Sequence, residues 1–147
     1  MPPHAYTACL QSAAIPYRLT DTGMEVLMVT SRGGSRWLFP KGGIGKGLTP
    51  APSAAREANE EAGVIGDLHP RSLGRYHFRK RDMPTRIEPC EVEVFLLHVH
   101  KQLRRWPEKG LRRQRWVEVA EAALMVEEGG LVDILLRLAQ KDVAQGL

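Results

Sequence analysis

Arg56-Glu57-Ala58-Asn59-Glu60-Glu61-Ala62-Gly63-Val64 is the stretch from which the rest of the chain is read. Ala and Glu are good helix formers, and Gly63 falls where a helix closes on a left-handed residue. Just upstream, Thr49-Pro50-Ala51-Pro52-Ser53 supplies N-cap hydroxyls and early prolines, so the pattern predicts one helix over residues 50–62. On it Glu57, Glu60 and Glu61 stand at i, i+3 and i+4 and share a face. Such carboxylates repel by about 0.2–0.5 kcal/mol per pair on an open surface, and by roughly 3 kcal/mol at ~6 Å and an effective dielectric near 20. Arg56 can reach Glu60 one turn on, but one cation does not neutralise three acids. A divalent cation would, and carboxylate oxygens are hard ligands suited to Mg²⁺ or Mn²⁺ shared with substrate phosphate. The plain alternative is a Glu-rich helix face open to solvent.

The charge around this helix is unevenly spread. The chain has 147 residues and a net charge of +4, a length typical of one domain, here residues 1–147. Between Arg71 and Arg115 thirteen Lys/Arg face five Asp/Glu, so that segment carries +8 and the remainder −4. An asymmetry of this kind concentrates a polyanionic partner, either a small polyphosphorylated ligand or RNA. The hydrophobic fraction of 43% excludes wholesale disorder. Apolar runs are short, as where Phe95-Leu96-Leu97 is broken by His98, which leaves no membrane span of ~20 residues. With no secretory signal legible, cytoplasmic residence is the expectation, and Cys9 and Cys90, in neither a C-x-x-C pair nor a metal-finger spacing, are expected as two reduced thiols.

Outward from the helix, β-prone runs over 12–20 and 24–30 meet at Asp21-Thr22-Gly23 and read as a hairpin. Trp37-Leu38-Phe39-Pro40-Lys41-Gly42-Gly43 reads as an ordered loop. Strands are predicted over 72–79, 90–100 and 115–119, the second alternating so that Val92, Val94 and Leu96 share one face. A helix is predicted over 121–128, then a break at Gly129-Gly130. Leu131, Ile134, Leu135 and Leu138 next form the apolar stripe of a terminal helix. The sum is an α+β chain with helices packed on a mixed sheet.

Gly42, five residues, Leu48, seven residues, then Arg56-Glu57 through Gly63-Val64 resembles the Nudix box, G-x5-E-x7-R-E-U-x-E-E-x-G-U, over residues 42–64. Six of its seven invariant Gly, Arg and Glu positions match; the first Glu is Leu48, and no acid lies between Gly42 and Arg56 to stand in for it. Ala58 at a bulky aliphatic position is a milder departure. Trp37 to Gly43, His77-Phe78-Arg79-Lys80-Arg81 and Trp106-Pro107-Glu108 are similar to segments of Nudix enzymes acting on diphosphoinositol polyphosphates and dinucleoside polyphosphates.

The resemblance implies an α/β/α sandwich and a pyrophosphohydrolase in which metal-assisted water attacks phosphorus of a diphosphate linkage. It implies Glu57, Glu60 and Glu61 as ligands of Mg²⁺ (or Mn²⁺), with Arg56 orienting Glu57. Lys41, Gly42 and Gly43 at the site's edge, then Arg79, Lys80 and Arg81, are the expected substrate contacts. The competing class is a Nudix-fold module that binds RNA or nucleotides, its catalysis weakened by Leu48. His98 and His100 share a strand face without a third ligand to complete a metal site. Glu93 reads as a solvated strand residue, and Ser53 lacks the setting of an activated nucleophile. Oligomeric state is left open.

Overall fold

The structure is a computed structural model, and it describes residues 9–83 and 86–145. An eight-stranded mixed sheet forms its centre. Strands β1 (Leu10–Thr20) and β2 (Gly23–Thr30) make the predicted hairpin, paired antiparallel from Tyr17↔Val26 to Thr20↔Gly23. On its other side β1 runs parallel to β7 (Arg86–Gln102), from Leu10↔Glu91 to Tyr17↔His98. β5 (Val64–Leu68) and β6 (Gly74–Met83) pair antiparallel with opposite ends of β7, and β8 (Gln114–Glu118) pairs with β2.

Alternation along β7 divides the core. Val92, Val94 and Leu96 face the helices α2 (Val119–Met125) and α3 (Gly129–Gln145), while Phe95 and Leu97 face the helix α1 (Pro50–Glu57). Leu131, Ile134, Leu135 and Leu138 are buried in the first of these cores, so the terminal stripe packs as its period predicts. The architecture is the α/β/α sandwich, with α1 alone on its face.

Four local readings change. The segment expected as a loop holds two short strands, β3 (Trp37–Leu38) and β4 (Lys41–Gly43), the latter paired with β1 from Gln11↔Gly43 to Ala13↔Lys41. Pro40 between them donates no hydrogen bond, but its carbonyl accepts from Ala14 N–H at 3.0 Å. The helix expected over 121–128 is shorter and starts earlier, as α2. Gly129 and Gly130, expected as a break after the preceding helix, are the first residues of α3, and a Cβ at Gly130 would lie 2.7 Å from Tyr76 Cβ, a close approach that favours glycine there. The helix expected over 50–62 leaves α geometry at Ala58 and ends as a π-helical turn over Ala58–Ala62, closed by Gly63 at φ 66°.

The expectation of reduced cysteines is also corrected: Cys9 and Cys90 form a disulfide, Cα atoms 4.7 Å apart. Their separation of 81 residues conceals the pairing. The parallel register that sets Leu10 beside Glu91 also brings the residues just before them together.

Candidate active site

The π turn decides which glutamates meet. It closes on i+5 rather than i+4, so a residue four along stays nearly above the first while one three along falls further round the axis. Glu61 therefore comes to Glu57 and its carboxyl donates a hydrogen bond to the Glu57 carboxylate. Glu60 turns aside and accepts from Arg56 Nε at 3.1 Å. Arg56, expected to orient Glu57, makes its hydrogen bond to Glu60, four residues along, and acts on Glu57 through its charge.

Glu61 is 6% exposed. Burial pushes its carboxyl from 4.5 up to about 8; Arg112 opposes this, while Glu57 and Glu108 reinforce it. Burial raises Glu57 too, against the bond from Glu61. The backbone of β4 lies against the pair. Lys41 N–H donates to Glu61 Oε1 at 3.4 Å. A Cβ on Gly42 would sit 2.5 Å from the Glu57 carboxyl, so glycine here is what lets that carboxyl reach the strand. Gly43 faces open space.

The Lys41 side chain carries the site into a cleft of about 570 Å³. Arg36, Lys41, Arg79 and Lys80 line it with Phe78 and one acid, Glu127. Lys41 Nζ stands 4.3 Å from the Phe78 ring centre and donates to Gln11 Oε1 at 3.5 Å. Its burial lowers its pKa, while Glu61 and Glu128 hold the charge in place. Of the residues the sequence proposed for substrate, Lys41, Arg79 and Lys80 meet here, and the side chain of Arg81 lies outside the described residues. Arg36 had no signal. A slightly larger cavity, about 580 Å³, opens at the far end of β1 around Tyr17, Leu19 and Leu138; neither cavity is lined by the box carboxylates, and the smaller one is tied to them through Lys41, whose backbone N–H meets Glu61.

Two further residues escaped the sequence reading. The segment between β7 and β8 covers the end of the Glu-bearing helix: Leu103 N–H donates to Gly63 O, Glu108 N–H to Glu60 O and Gln114 Nε2 to Ala62 O. These are carbonyls a helix end leaves unpaired. From this cover Arg112 reaches inward, Nη1 donating to Thr30 O at 3.0 Å and Nε to Glu108 Oε1 at 3.1 Å, with Nη2 3.7 Å from Glu61 Oε2. Much of the basic segment is consumed in this way. Arg75 pairs with Glu93, Arg115 with Glu121, and Arg113 covers the Trp37 ring. His98 stacks on Tyr17 and His100 pairs with Asp67, which gives both histidines structural partners.

A divalent cation fits these donors. Two hard carboxylates share a proton, and a cation held there would displace that proton. Leu48, 39% exposed, supplies no oxygen. Among the described residues, the group of three with ligand atoms all within 4.8 Å of one another is Cys9, Glu88 and Cys90, and its two sulfurs are already bonded to each other.

Sheet, helices and the placement of the Glu helix define the Nudix fold. The chain belongs to the Nudix family: the NUDIX domain matches residues 10–136. It is 33% identical over 140 residues to Nudix hydrolase 16, mitochondrial, of Arabidopsis thaliana, covering 86% of this chain and 77% of that protein. It is 40% identical over 129 residues to Nudix hydrolase 12, mitochondrial, from the same plant, covering 77% and 64%. Diphosphoinositol polyphosphate phosphohydrolase 2 of Rattus norvegicus is 29% identical over 119 residues, covering 80% and 62%. The chain thus spans less than two thirds of the length of the latter two. A C. elegans Ap4A hydrolase binary complex superposes with a TM-score of 0.66 at 16% identity, covering 95% of this chain and 99% of that one. The chain is a Nudix hydrolase. Two of these relatives are named mitochondrial, unlike the cytoplasmic residence expected here, and no helix among the described residues is long and apolar enough to cross a membrane.

Proposed function

We propose that this Nudix hydrolase cleaves a diphosphate linkage in a small polyphosphorylated substrate of the dinucleoside polyphosphate or diphosphoinositol polyphosphate type, by water attack at phosphorus. One observation carries the reading: Lys41 donates its backbone N–H to Glu61 while its side chain lines the basic cleft. Lys41 thus links the carboxylate pair, through its backbone, to the basic cleft that its side chain lines. Relatives named for diphosphoinositol polyphosphates and Ap4A agree with this class.

Glu57 and Glu61 would hold Mg²⁺ or Mn²⁺, with Glu60 available once it leaves Arg56. When bound, the cation supplies charge neutralisation at the phosphoryl oxygens and a more acidic water. The protein's own residues do the rest. Lys41, Arg36, Arg79 and Lys80 bind successive phosphates and fix the chain of anhydrides against the Glu pair. Glu61 keeps a proton at neutral pH in the metal-free protein and would be ionised once a cation displaces that proton. Gly42 keeps the Glu57 carboxyl close to the strand.

The test is a panel of dinucleoside polyphosphates, diphosphoinositol polyphosphates and nucleotide sugars with Mg²⁺ or Mn²⁺, each product identified by mass. Two phosphorylated products from the polyphosphates are expected, with nucleotide sugars slower. Binding without turnover across the panel would favour the module reading raised by Leu48.

A further inference from the structure

The Cys9–Cys90 disulfide joins the start of β1 to β7, and of the two side chains beside the Lys41 ammonium one, Gln11, is on the tied strand β1, while the other, Phe78, is on β6, the neighbour of β7. Gln11, which accepts from Lys41 Nζ, follows Cys9 by two residues on β1. Phe78, whose ring faces Lys41 Nζ, stands directly opposite Cys90 in the β6–β7 register. All three line the polyphosphate cleft. Beyond the crosslink the strands are held without it, by pairing from Leu10↔Glu91 to Tyr17↔His98. Loss of the bond therefore loosens a strand end, where local opening is easiest, and leaves the sheet intact.

We propose that this disulfide is a redox-responsive splint of the substrate cleft. Oxidised, it pins the start of β1, two residues from Gln11, in the geometry that lets Lys41 receive a polyphosphate; reduced, it leaves that strand end to its backbone pairing alone, free to fray, and weakens that binding. The inference rests on the cleft being the polyphosphate site. The reductant is a dithiol. Its thiolate attacks Cys9 Sγ, since Cys9 is 8% exposed and Cys90 0%, forming a mixed disulfide and expelling the Cys90 thiolate, which takes up a proton. The second thiol of the reductant then closes on the first and releases Cys9 as a thiol. Two electrons and two protons reach the protein, and the reductant leaves as a disulfide.

The experiment is calorimetric titration of inorganic tripolyphosphate into the full chain in EDTA, so that no hydrolysis occurs. The protein is used oxidised, reduced with dithiothreitol, reoxidised, and as Cys9→Ser. Oxidised protein should bind on the order of three- to tenfold more tightly than reduced, the scale of a lost preorganised contact. The affinity should return on reoxidation, and Cys9→Ser should match the reduced form and ignore dithiothreitol. Should Cys9→Ser fail to fold, the reduction and reoxidation cycle of the unaltered chain still decides. Equal affinity in the oxidised and reduced chain overturns the proposal, as does alkylation of both cysteines in protein exposed to oxidant. Redox-dependent binding with no hydrolysis of any polyphosphate would instead sink the hydrolase reading and leave the splint standing.

Discussion

The Glu57 carboxyl rests against the α-carbon of Gly42, where an added Cβ would lie 2.5 Å away. The contact joins the box helix to the strand that carries Lys41. A methyl group there displaces only the far end of a flexible side chain, so Gly42→Ala should cost about 1 kcal/mol of stability or less. Activity should fall on the order of 10²-fold, as for a catalytic group misplaced by about 1 Å. Thermal melting and turnover of the same preparation check both halves; a proportionate loss of the two would show that Gly42 matters for folding alone.

The Glu61 carboxyl gives metal-free protein a distinct pH response. Its folded pKa of about 8 lies above the ordinary 4.5, so between these values the folded chain keeps a proton that the unfolded chain has released. The stability from this group is complete below 4.5 and is lost as pH rises through about 8. In EDTA the melting temperature should therefore decline over that interval. Mg²⁺ should restore it most at the alkaline end, where no proton competes for the site.

Arg112 is 11% exposed at its side chain and serves Thr30 O, Glu108 and Glu61 together. Arg112→Met removes the cation and leaves its partners buried, a change worth about 3–5 kcal/mol. Arg112→Lys should recover only part of this, because an ammonium lacks the planar fork that reaches several acceptors at once. Urea unfolding of the two variants gives the comparison, and equal stabilities would remove the fork from the account.

Lys41→Gln keeps the backbone N–H on Glu61 and deletes the cation in the cleft. Charge-assisted hydrogen bonds contribute about 1.5–3 kcal/mol, so KM for a polyphosphate substrate should rise roughly 10- to 100-fold with a smaller change in kcat. Initial rates over a range of substrate concentration separate the two.

What the sequence disclosed was what local period and spacing encode. The Glu helix with Gly63 at its end, the alternation from Val92 to Leu97 and the stripe from Leu131 to Leu138 all occupy the places their patterns require. The π turn was hidden, because the α and π placements of Glu57, Glu60 and Glu61 share one residue spacing. Arg112 and Glu108 look like any members of a basic surface run, and only the return of that segment over the carbonyls of Glu60, Ala62 and Gly63 turns them inward. The disulfide escaped for a similar reason: it depends on two distant strands lying parallel.

The most direct measurement compares Glu61→Gln with the unaltered chain for Mg²⁺-dependent hydrolysis of a dinucleoside polyphosphate, products identified by mass, alongside Mn²⁺ titration and thermal melting. Gln has the shape of the protonated acid that metal-free Glu61 holds at neutral pH, so the melting temperature should be retained or raised. Mn²⁺ binding should weaken, and turnover should fall on the order of 10²–10⁴-fold. Undiminished turnover by a folded Glu61→Gln protein would contradict the assignment of the Glu57–Glu61 pair as the centre of the reaction.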